Sequence, residues 1–226
     1  GDIAGLVIQN PRQMGYLSIK AAVAAINSTA TTTKTTFTEA KLITKENYQT
    51  PEQGIPAKQL DIPWESCITL SHAWGWTPNA KFKSPNKVIG ILSEIVAKGG
   101  CLALGVGPKA DGTLQPEVVN TLLKIGSWLN KNGQAIYSTV NAAHYNDGKV
   151  WFTADKNGKT LYAIYALEDG EKTPKTITWT ENKPKGKLVL LQNGKSVKYT
   201  VKGNQVTVTL PSGLKNEPLA FKFNSK

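Results

Sequence analysis

The sequence is poor in the residues that would define a metal site, a membrane span or a nucleic-acid interface. Its 226 residues include two cysteines, two histidines and a single arginine, Arg12, beside 26 lysines. Neither cysteine has a second cysteine or a histidine at the spacing of a zinc site. No run approaches the roughly 18 to 20 uncharged apolar residues that span a bilayer. We therefore expect a soluble globule that holds no metal or other cofactor and has no membrane partner.

The positive charge is concentrated in the last third of the chain. The net charge is +11, and residues 141–226 carry 14 lysines against seven acidic residues. These lysines are spaced singly through alternating segments, whereas base readout and bidentate phosphate contacts favour arginine. The pattern therefore favours solvated strand faces, and we expect no nucleic-acid partner.

The two cysteines, Cys67 and Cys101, each lie inside an apolar run. Free cysteine is among the most frequently buried residue types, so this placement favours two buried thiols. A single disulfide between them is the alternative that the sequence leaves open.

The middle of the chain predicts a parallel α/β layer. Ser84-Pro85 is typical of a helix start, and the apolar residues from Val88 to Val96 mark one helical face that ends at Gly99-Gly100. The continuous apolar run 101–106 is typical of a strand that is buried on both faces. A second helix begins at Pro116 and ends at Asn132-Gly133. Its predicted core face consists of Val119, Leu122, Leu123, Trp128 and Leu129.

Before and after this layer the pattern is different. Leu17–Ile26 has apolar residues at helical spacing and predicts a helix. After Tyr137 the period changes to two, with Asn-Gly and Gly-Asn turns, which predicts an antiparallel β-sandwich. We expect Thr176–Thr180 to form a hairpin-like pair with Lys187–Gln192. The expected domains are 1–139, an α/β unit, and 140–226, the sandwich.

Two loops contain the candidate functional residues. Glu52 lies in a long loop rich in proline and glycine, where an acidic residue is either functional or an ordinary surface group. His72, Trp74 and Trp76 directly follow a predicted strand, and the residues after a strand of a parallel barrel form its active-site face. Tryptophans there suit a sugar, whose C–H face stacks on aromatic rings. The alternatives are core packing for Trp76 and a structural hydrogen bond for His72.

Several motifs occur together over residues 47–140, in a fixed order. They are Tyr48–Gln53 (YQTPEQ), Pro63–Thr69 (PWESCIT), Trp74–Trp76 (WGW), Lys83–Pro85 (KSP), Val96–Gly100 (VAKGG), Gly105–Thr113 (GVGPKADGT) and Gly133–Tyr137 (GQAIY). This order and spacing resembles the α-L-fucosidases of glycoside hydrolase family 29. The β-rich tail resembles the C-terminal sandwich of that family, and residues 1–45 match no segment of known type.

The resemblance implies a fold and a function. The fold would be the last strands and helices of a (β/α) TIM-like barrel, followed by an antiparallel β-sandwich. The function would be that of a retaining glycosidase, which removes terminal α-L-fucose from a glycan or oligosaccharide, in a periplasmic or secreted setting. Glu52 would be the general acid/base, and Trp74 the aromatic that packs against the fucose methyl group, with Trp76 and His72 nearby.

The sequence also departs from the family pattern. The His-Trp-Gly segment, the His pair and the Trp-x-Asp nucleophile of the first barrel strands do not occur, and Cys101 and Gly105 replace positions that usually hold Asn. Retaining chemistry needs two carboxyl groups roughly 5 Å apart. We therefore expect the chain alone to be inactive, and either a homo-oligomer or a complementing N-terminal half as its partner. The alternative function is a non-catalytic carbohydrate-binding or structural module.

Overall fold

The structure is a computed structural model that describes residues 48–225 in full and the backbone of residues 6–9 and 40–43. The chain divides into two compact units, Gly1–Gln49 and Thr50–Lys226. In the first unit, strands β1 (Leu6–Gln9) and β2 (Ala40–Ile43) pair in antiparallel fashion. The helix predicted at Leu17–Ile26 lies outside the described residues.

The second unit begins with a parallel α/β layer. Its elements are β3 (Glu65–Thr69), α1 (Pro85–Ala97), β4 (Cys101–Gly105) and α2 (Pro116–Asn132). Strands β3 and β4 are parallel, with Thr69 opposite Gly105 at their carboxyl ends. The predicted start of α1 is confirmed, because the Ser84 hydroxyl accepts a hydrogen bond from the Lys87 N–H at 3.1 Å. The helix stops before Gly99, whose φ of 83° few other residues adopt.

One prediction about burial in this layer holds in part and one was wrong. On α2 the buried side chains are Val118, Ile125, Trp128 and Asn132. Of the predicted core face, Trp128 is buried and Leu122 and Leu129 are half-buried against the core, whereas Val119 is 41% and Leu123 68% exposed. The core lies toward Trp128, whose indole N–H donates to the Pro218 carbonyl at 2.7 Å. Strand β4 is not buried on both faces, since Cys101 is exposed and its other four residues are half-buried. Within the described residues, one face of the parallel layer is thus only partly covered.

The second half of the unit is one eight-stranded antiparallel sheet. Its order is β5-β6-β7-β12-β9-β10-β11-β8. The strands are β5 (Val140–Asp147), β6 (Val150–Ala154), β7 (Thr160–Tyr165), β8 (Thr176–Thr180), β9 (Lys185–Leu190), β10 (Lys195–Lys202), β11 (Gln205–Thr209) and β12 (Leu219–Asn224). The antiparallel prediction is confirmed, but β8 pairs with β11 and not with the segment that contains β9.

The sheet curls until its two edge strands nearly meet. Lys195–Val197 of β10 pair with β9, whereas Lys198–Lys202 pair with β11, so this strand forms the corner. On the far side, the Asp147 carboxylate of β5 accepts hydrogen bonds from the backbone N–H and the hydroxyl of Thr180 in β8. The result is a nearly closed barrel and not a sandwich of two separate sheets. Its core contains Trp179, stacked on Phe223 and edge-on to Phe152.

The sheet begins at Val140, close to the expected domain boundary. Residues 50–226 nevertheless pack as one compact unit. The division into domains 1–139 and 140–226 therefore stays a prediction.

The β6–β7 hairpin carries an acid-sensitive contact. The Asp155 carboxylate accepts hydrogen bonds from the backbone N–H groups of Thr160 at 3.2 Å and Lys159 at 2.9 Å, and these lower the pKa of Asp155 from its ordinary 3.8. A carboxyl with a lowered folded-state pKa stabilises the fold above pH 3.8, and this contribution is lost as the pH falls through the folded-state pKa.

We therefore expect Asp155→Asn to reduce the loss of stability on acidification. The urea midpoint of the native chain should fall more between about pH 5 and about pH 2 than that of the variant. Asp61→Asn is the control, because Asp61 is exposed and has no hydrogen bond among the described residues. An equal fall for the native chain and Asp155→Asn would contradict the assignment.

Candidate functional site

The loop that contains Glu52 runs as a short third strand beside β3. The backbone N–H of Gln53 donates to the Cys67 carbonyl at 2.8 Å, and the N–H of Cys67 donates to the Pro51 carbonyl at 2.9 Å. These bonds pair Glu52 with Cys67 in parallel. Paired residues of adjacent strands share a sheet face, so Glu52 is on the same face as Cys67. The Glu52 side chain is exposed and makes no hydrogen bond with the described residues.

Gln53 attaches this loop to the carboxyl end of β3. Its side-chain amide donates to the Thr69 hydroxyl at 2.8 Å and accepts from the Thr69 N–H at 3.3 Å. Gln53 has a φ of 53°, an uncommon value for a residue with a side chain. Thr69 is buried whereas Gln53 is exposed, so the two bonds are partly shielded from water. The peptide that carries Glu52 is therefore held at a fixed place beside the strand end.

The same threonine anchors the tryptophan loop. The Thr69 hydroxyl donates to the Ser71 carbonyl at 2.7 Å, and the Ser71 hydroxyl donates to the Ala73 carbonyl at 2.9 Å. The Trp74 ring then lies over Gly105, close enough that a Cβ on Gly105 would be 3.4 Å from its Cζ3 atom. Because Thr69 and Gly105 are opposite each other, both loops lie at the carboxyl end of the parallel pair.

Lys83 closes the base of the tryptophan loop. Its ammonium donates to the carbonyls of Thr69 at 2.6 Å and Ser71 at 3.3 Å, and its backbone N–H donates to Leu70. Burial, with a smaller contribution from the Lys87 charge, lowers the pKa of Lys83. The cation thus satisfies carbonyl groups at the end of β3 that have no strand partner there.

The structure brings the loops of the predicted site residues together. Trp74 and Trp76 are 49% and 44% exposed, which excludes the core-packing alternative for Trp76. His72 is exposed and makes no hydrogen bond with the described residues, so the structural alternative for His72 is also not observed. The loops of Glu52 and Trp74 share the Thr69 anchor, and His72 lies within the tryptophan loop between Ser71 and Ala73.

Sequence reasoning missed Gln53, Thr69 and Lys83. All three were inside quoted motifs, as the residue after the glutamate, the last residue of a strand and the residue before a helix cap. The only available signal was a polar residue directly beside each loop. Their roles depend on hydrogen bonds across 14 to 16 residues of sequence.

The two cysteines are free thiols, which agrees with the favoured prediction, but neither is fully buried. Cys67 is half-buried and Cys101 is exposed. Cys67 lies opposite Ala103, and Cys101 opposite Glu65, so the two are offset by two residues along adjacent strands. Residues 48–225 contain no group of three or more His, Cys, Asp or Glu side chains arranged to hold a metal ion. No helix in this part of the chain is long and apolar enough to cross a bilayer.

Comparison with known proteins gives one family. A family model described as alpha-L-fucosidase matches residues 9–134. This match begins well before residue 47, so residues 9–46, which by motif resembled nothing of known type, also lie within the family region.

The relatives are much longer than this chain. Plasma alpha-L-fucosidase of Homo sapiens is 33% identical over 125 residues, which are 52% of this chain and 27% of the relative. Alpha-L-fucosidase of Branchiostoma floridae is 30% identical over 162 residues, 68% of this chain and 35% of that protein. Among solved structures, alpha-L-fucosidase isoenzyme 1 from Paenibacillus thiaminolyticus superposes with a TM-score of 0.68 at 26% identity, covering 80% of this chain and 45% of that one.

Proposed function

Because the chain belongs to the alpha-L-fucosidase family, we propose that it is the C-terminal part of a retaining glycoside hydrolase that removes terminal α-L-fucose from glycans. The family match, 33% identity to a fucosidase and structural similarity to another support the glycosidase assignment. The hydrolysis reaction, the fucosylated substrate and the role of each residue are proposals, since the chain spans 27% to 35% of these curated relatives.

The observation that carries the proposal is the shared anchor at Thr69. Ligands of parallel α/β sheets bind at the carboxyl ends of the strands, where loops converge. Here the glutamate loop and the tryptophan loop are both hydrogen-bonded to Thr69 at that end. An acidic group and an exposed indole ring near one strand end provide a proton donor and a stacking surface for one sugar residue.

In this proposal Glu52 is the general acid/base. Its carboxyl group protonates the departing oxygen and later removes a proton from the attacking water. The nucleophile must be a second carboxylate roughly 5 Å away. Glu65 lies on the same face toward the amino end of β3, two residues before the Cys67 that pairs with Glu52, an offset of roughly 7 Å along the strand. We propose that the nucleophile comes from another segment or chain.

The open side of the parallel layer indicates where that segment would dock. Within the described residues β4 pairs only with β3, so its other edge has unpaired backbone groups. Val119 and Leu123 are exposed on α2, which follows β4 directly. We propose that a strand and a helix of a complementing N-terminal half cover this edge and complete a (β/α) barrel. A second copy of this chain is the alternative occupant.

A second candidate function is a non-catalytic carbohydrate-binding module. Trp74 and Trp76 are about half exposed, and the nearest acidic residue along β3, Glu65, is offset by two residues from the position opposite Glu52. Binding without hydrolysis under every condition of the following test would favour this reading.

The test is hydrolysis of 4-nitrophenyl α-L-fucoside by the chain alone and after mixing with the N-terminal half of a family α-L-fucosidase. We expect no turnover by the chain alone and measurable turnover from the mixture. Turnover by the chain alone would contradict the missing nucleophile, and no turnover from a mixture that forms a stable complex would contradict the proposed hydrolase.

Leu123→Glu should weaken this complementation, because it puts a charge on the apolar surface beside the open edge. The matched control is Val201→Glu, which makes the same change at another exposed apolar residue, on β10. Sedimentation of each variant with and without the N-terminal half measures the complex directly. Equal complex formation by both variants would place the docking surface elsewhere, and a stable dimer of the chain alone that Leu123→Glu disrupts would identify a second copy as the occupant.

A further inference from the structure

A cavity of about 760 Å³ lies at the antiparallel sheet, away from the Glu52 loop. It is formed where β5 begins, where the β6–β7 hairpin turns and where the β8–β9 loop crosses. Its apolar lining includes Val140, Ala142 and Leu161. The volume is within the range of small-molecule sites, and the mouths of barrels are among their usual places.

The charge around this cavity is positive and largely uncompensated. Three lysines line it, Lys156, Lys183 and Lys185, against one acidic residue, Glu181. Lys183 donates to the Asn204 side chain at 2.8 Å, and the Asn204 amide in turn donates to Glu181 at 2.8 Å. The side chains of Lys156 and Lys185 have no ion pair or hydrogen bond among the described residues. Two ammonium groups are therefore available to an anion.

Two asparagine side chains contribute amide groups to the lining. The Asn182 amide donates to the His144 carbonyl at 2.7 Å, which leaves its oxygen as an acceptor. The Asn141 amide packs against Gly99, where an added Cβ would be 2.6 Å from its Oδ1 atom. Amides beside an apolar floor suit a molecule with hydroxyl groups and C–H surface, as in a sugar.

We propose that this cavity is a second glycan-binding site and that it takes a sugar residue bearing an anionic group, either a sulfate ester or a carboxylate. Lysine binds such groups as a point charge, without the planar bidentate geometry of arginine. In naming acidic fucosylated glycans as the substrate class, the inference rests on the proposed function.

The site is spatially independent of the Glu52 loop. Asn141 contacts Gly99, which comes just before the amino end of β4, whereas the loops of Glu52 and Trp74 are at the carboxyl ends of β3 and β4. Occupation of the cavity therefore needs neither the nucleophile nor the complementing half. A glycan chain could be held here while its terminal residue is processed elsewhere.

The experiment measures binding of the full chain to a sulfated fucan by titration calorimetry at about 0.15 M salt, where nonspecific surface charge is partly screened. The same polymer after chemical desulfation is the second probe, and polygalacturonate, which carries carboxylates, is the third. We expect at least roughly tenfold weaker binding after desulfation. Binding of the third probe as tight as that of the sulfated fucan would assign the site to anionic sugars in general, and weaker binding would assign it to sulfate esters.

A double charge reversal, Lys156→Glu with Lys185→Glu, should also weaken binding by at least roughly tenfold. The matched control is Lys172→Glu with Lys195→Glu, which makes the same change in net charge at exposed lysines outside the cavity lining. Circular dichroism verifies that both double variants are folded. If one is not, the single variants Lys156→Gln and Lys185→Gln replace it.

Equal losses in both double variants would overturn the proposal, because they would show attraction by net charge alone. Undiminished binding after desulfation, or no binding of any probe, would also overturn it. An excess of free L-fucose should not compete with the polymer for this site. Polymer binding without fucoside hydrolysis in the complementation test would contradict the proposed hydrolase only, whereas hydrolysis without polymer binding would contradict this inference only.

Discussion

Replacement of Glu52 by glutamine is expected to lower kcat/KM for a fucosyl disaccharide by roughly 10²- to 10⁴-fold in the complemented hydrolase, the usual contribution of a positioned general acid. The disaccharide has a poorly departing sugar alkoxide, which must be protonated as the bond breaks. Glutamine has nearly the same shape and can still donate a hydrogen bond, but it cannot transfer a proton. Since the Glu52 side chain is exposed and makes no hydrogen bond with residues 48–225, the substitution should leave folding unchanged.

The size of the loss should depend on the leaving group. In fucosyl fluoride the leaving group is fluoride, which needs little acid assistance. The first step with this substrate should therefore be nearly unaffected by Glu52→Gln. The ratio of kcat/KM values for fluoride and disaccharide therefore measures acid catalysis separately from binding. Glu65→Gln is the matched carboxylate control on β3 and should change neither value more than about twofold. Equal losses for both substrates would show that Glu52 is not the acid.

Local features of the fold could be predicted from the sequence because neighbouring residues determine them. Ser84 and Pro85 define the start of α1 by a cap within one helical turn. The strand at Thr176–Thr180 was bounded by its own alternation and turn residues. The predicted partner of this strand was wrong. β8 pairs with β11 across about 30 residues, and alternation specifies a strand's two faces but not its neighbour.

Burial was harder to predict than secondary structure. The apolar residues of α2 form a broad stripe, and which part is buried depends on the elements that pack against it. Val118, Ile125 and Trp128 share one core cluster with residues of β7 and β12, whereas Val119 and Leu123 are exposed. The exposure of Cys101 has the same cause, since the face of β4 on which it lies is only partly covered in the described residues. Where covering elements come from elsewhere in a protein, an apolar pattern overstates the burial within one segment.

The candidate site shows the same division. Glu52, Trp74 and Trp76 could be selected because their types and loop positions suit sugar chemistry. The hydrogen bonds that hold their loops could not be predicted, because Gln53, Thr69 and Lys83 reach their partners only across 14 to 16 residues of sequence in the folded chain. The motifs therefore predict which groups contact a substrate, and only the structure shows the hydrogen bonds that position their loops.

The close approach of Gly107 to the tryptophan loop leads to the second large effect. A Cβ on Gly107 would be 2.4 Å from the carbonyl carbon of Gly75 and 2.5 Å from the backbone nitrogen of Trp76. These are backbone atoms, which cannot move aside as a flexible side chain would. Gly107→Ala must therefore displace the loop that holds Trp74 and Trp76, and we expect a loss of roughly 1 to 3 kcal/mol in the free energy of unfolding.

The reciprocal variant is an exacting control, because it adds the same methyl group to the other side of the same contact. A Cβ on Gly75 would have nothing within 4 Å, so Gly75→Ala should change the urea midpoint little. Acrylamide quenching of tryptophan fluorescence and binding of L-fucose then report on the loop itself. If both variants bound fucose as the native chain does while only Gly107→Ala lost stability, the packing of this loop on β4 would matter for the fold and not for sugar recognition. Loss of binding in Gly107→Ala alone would show that the sugar is recognised by the loop in its docked position, with Trp74 held over the end of the strand.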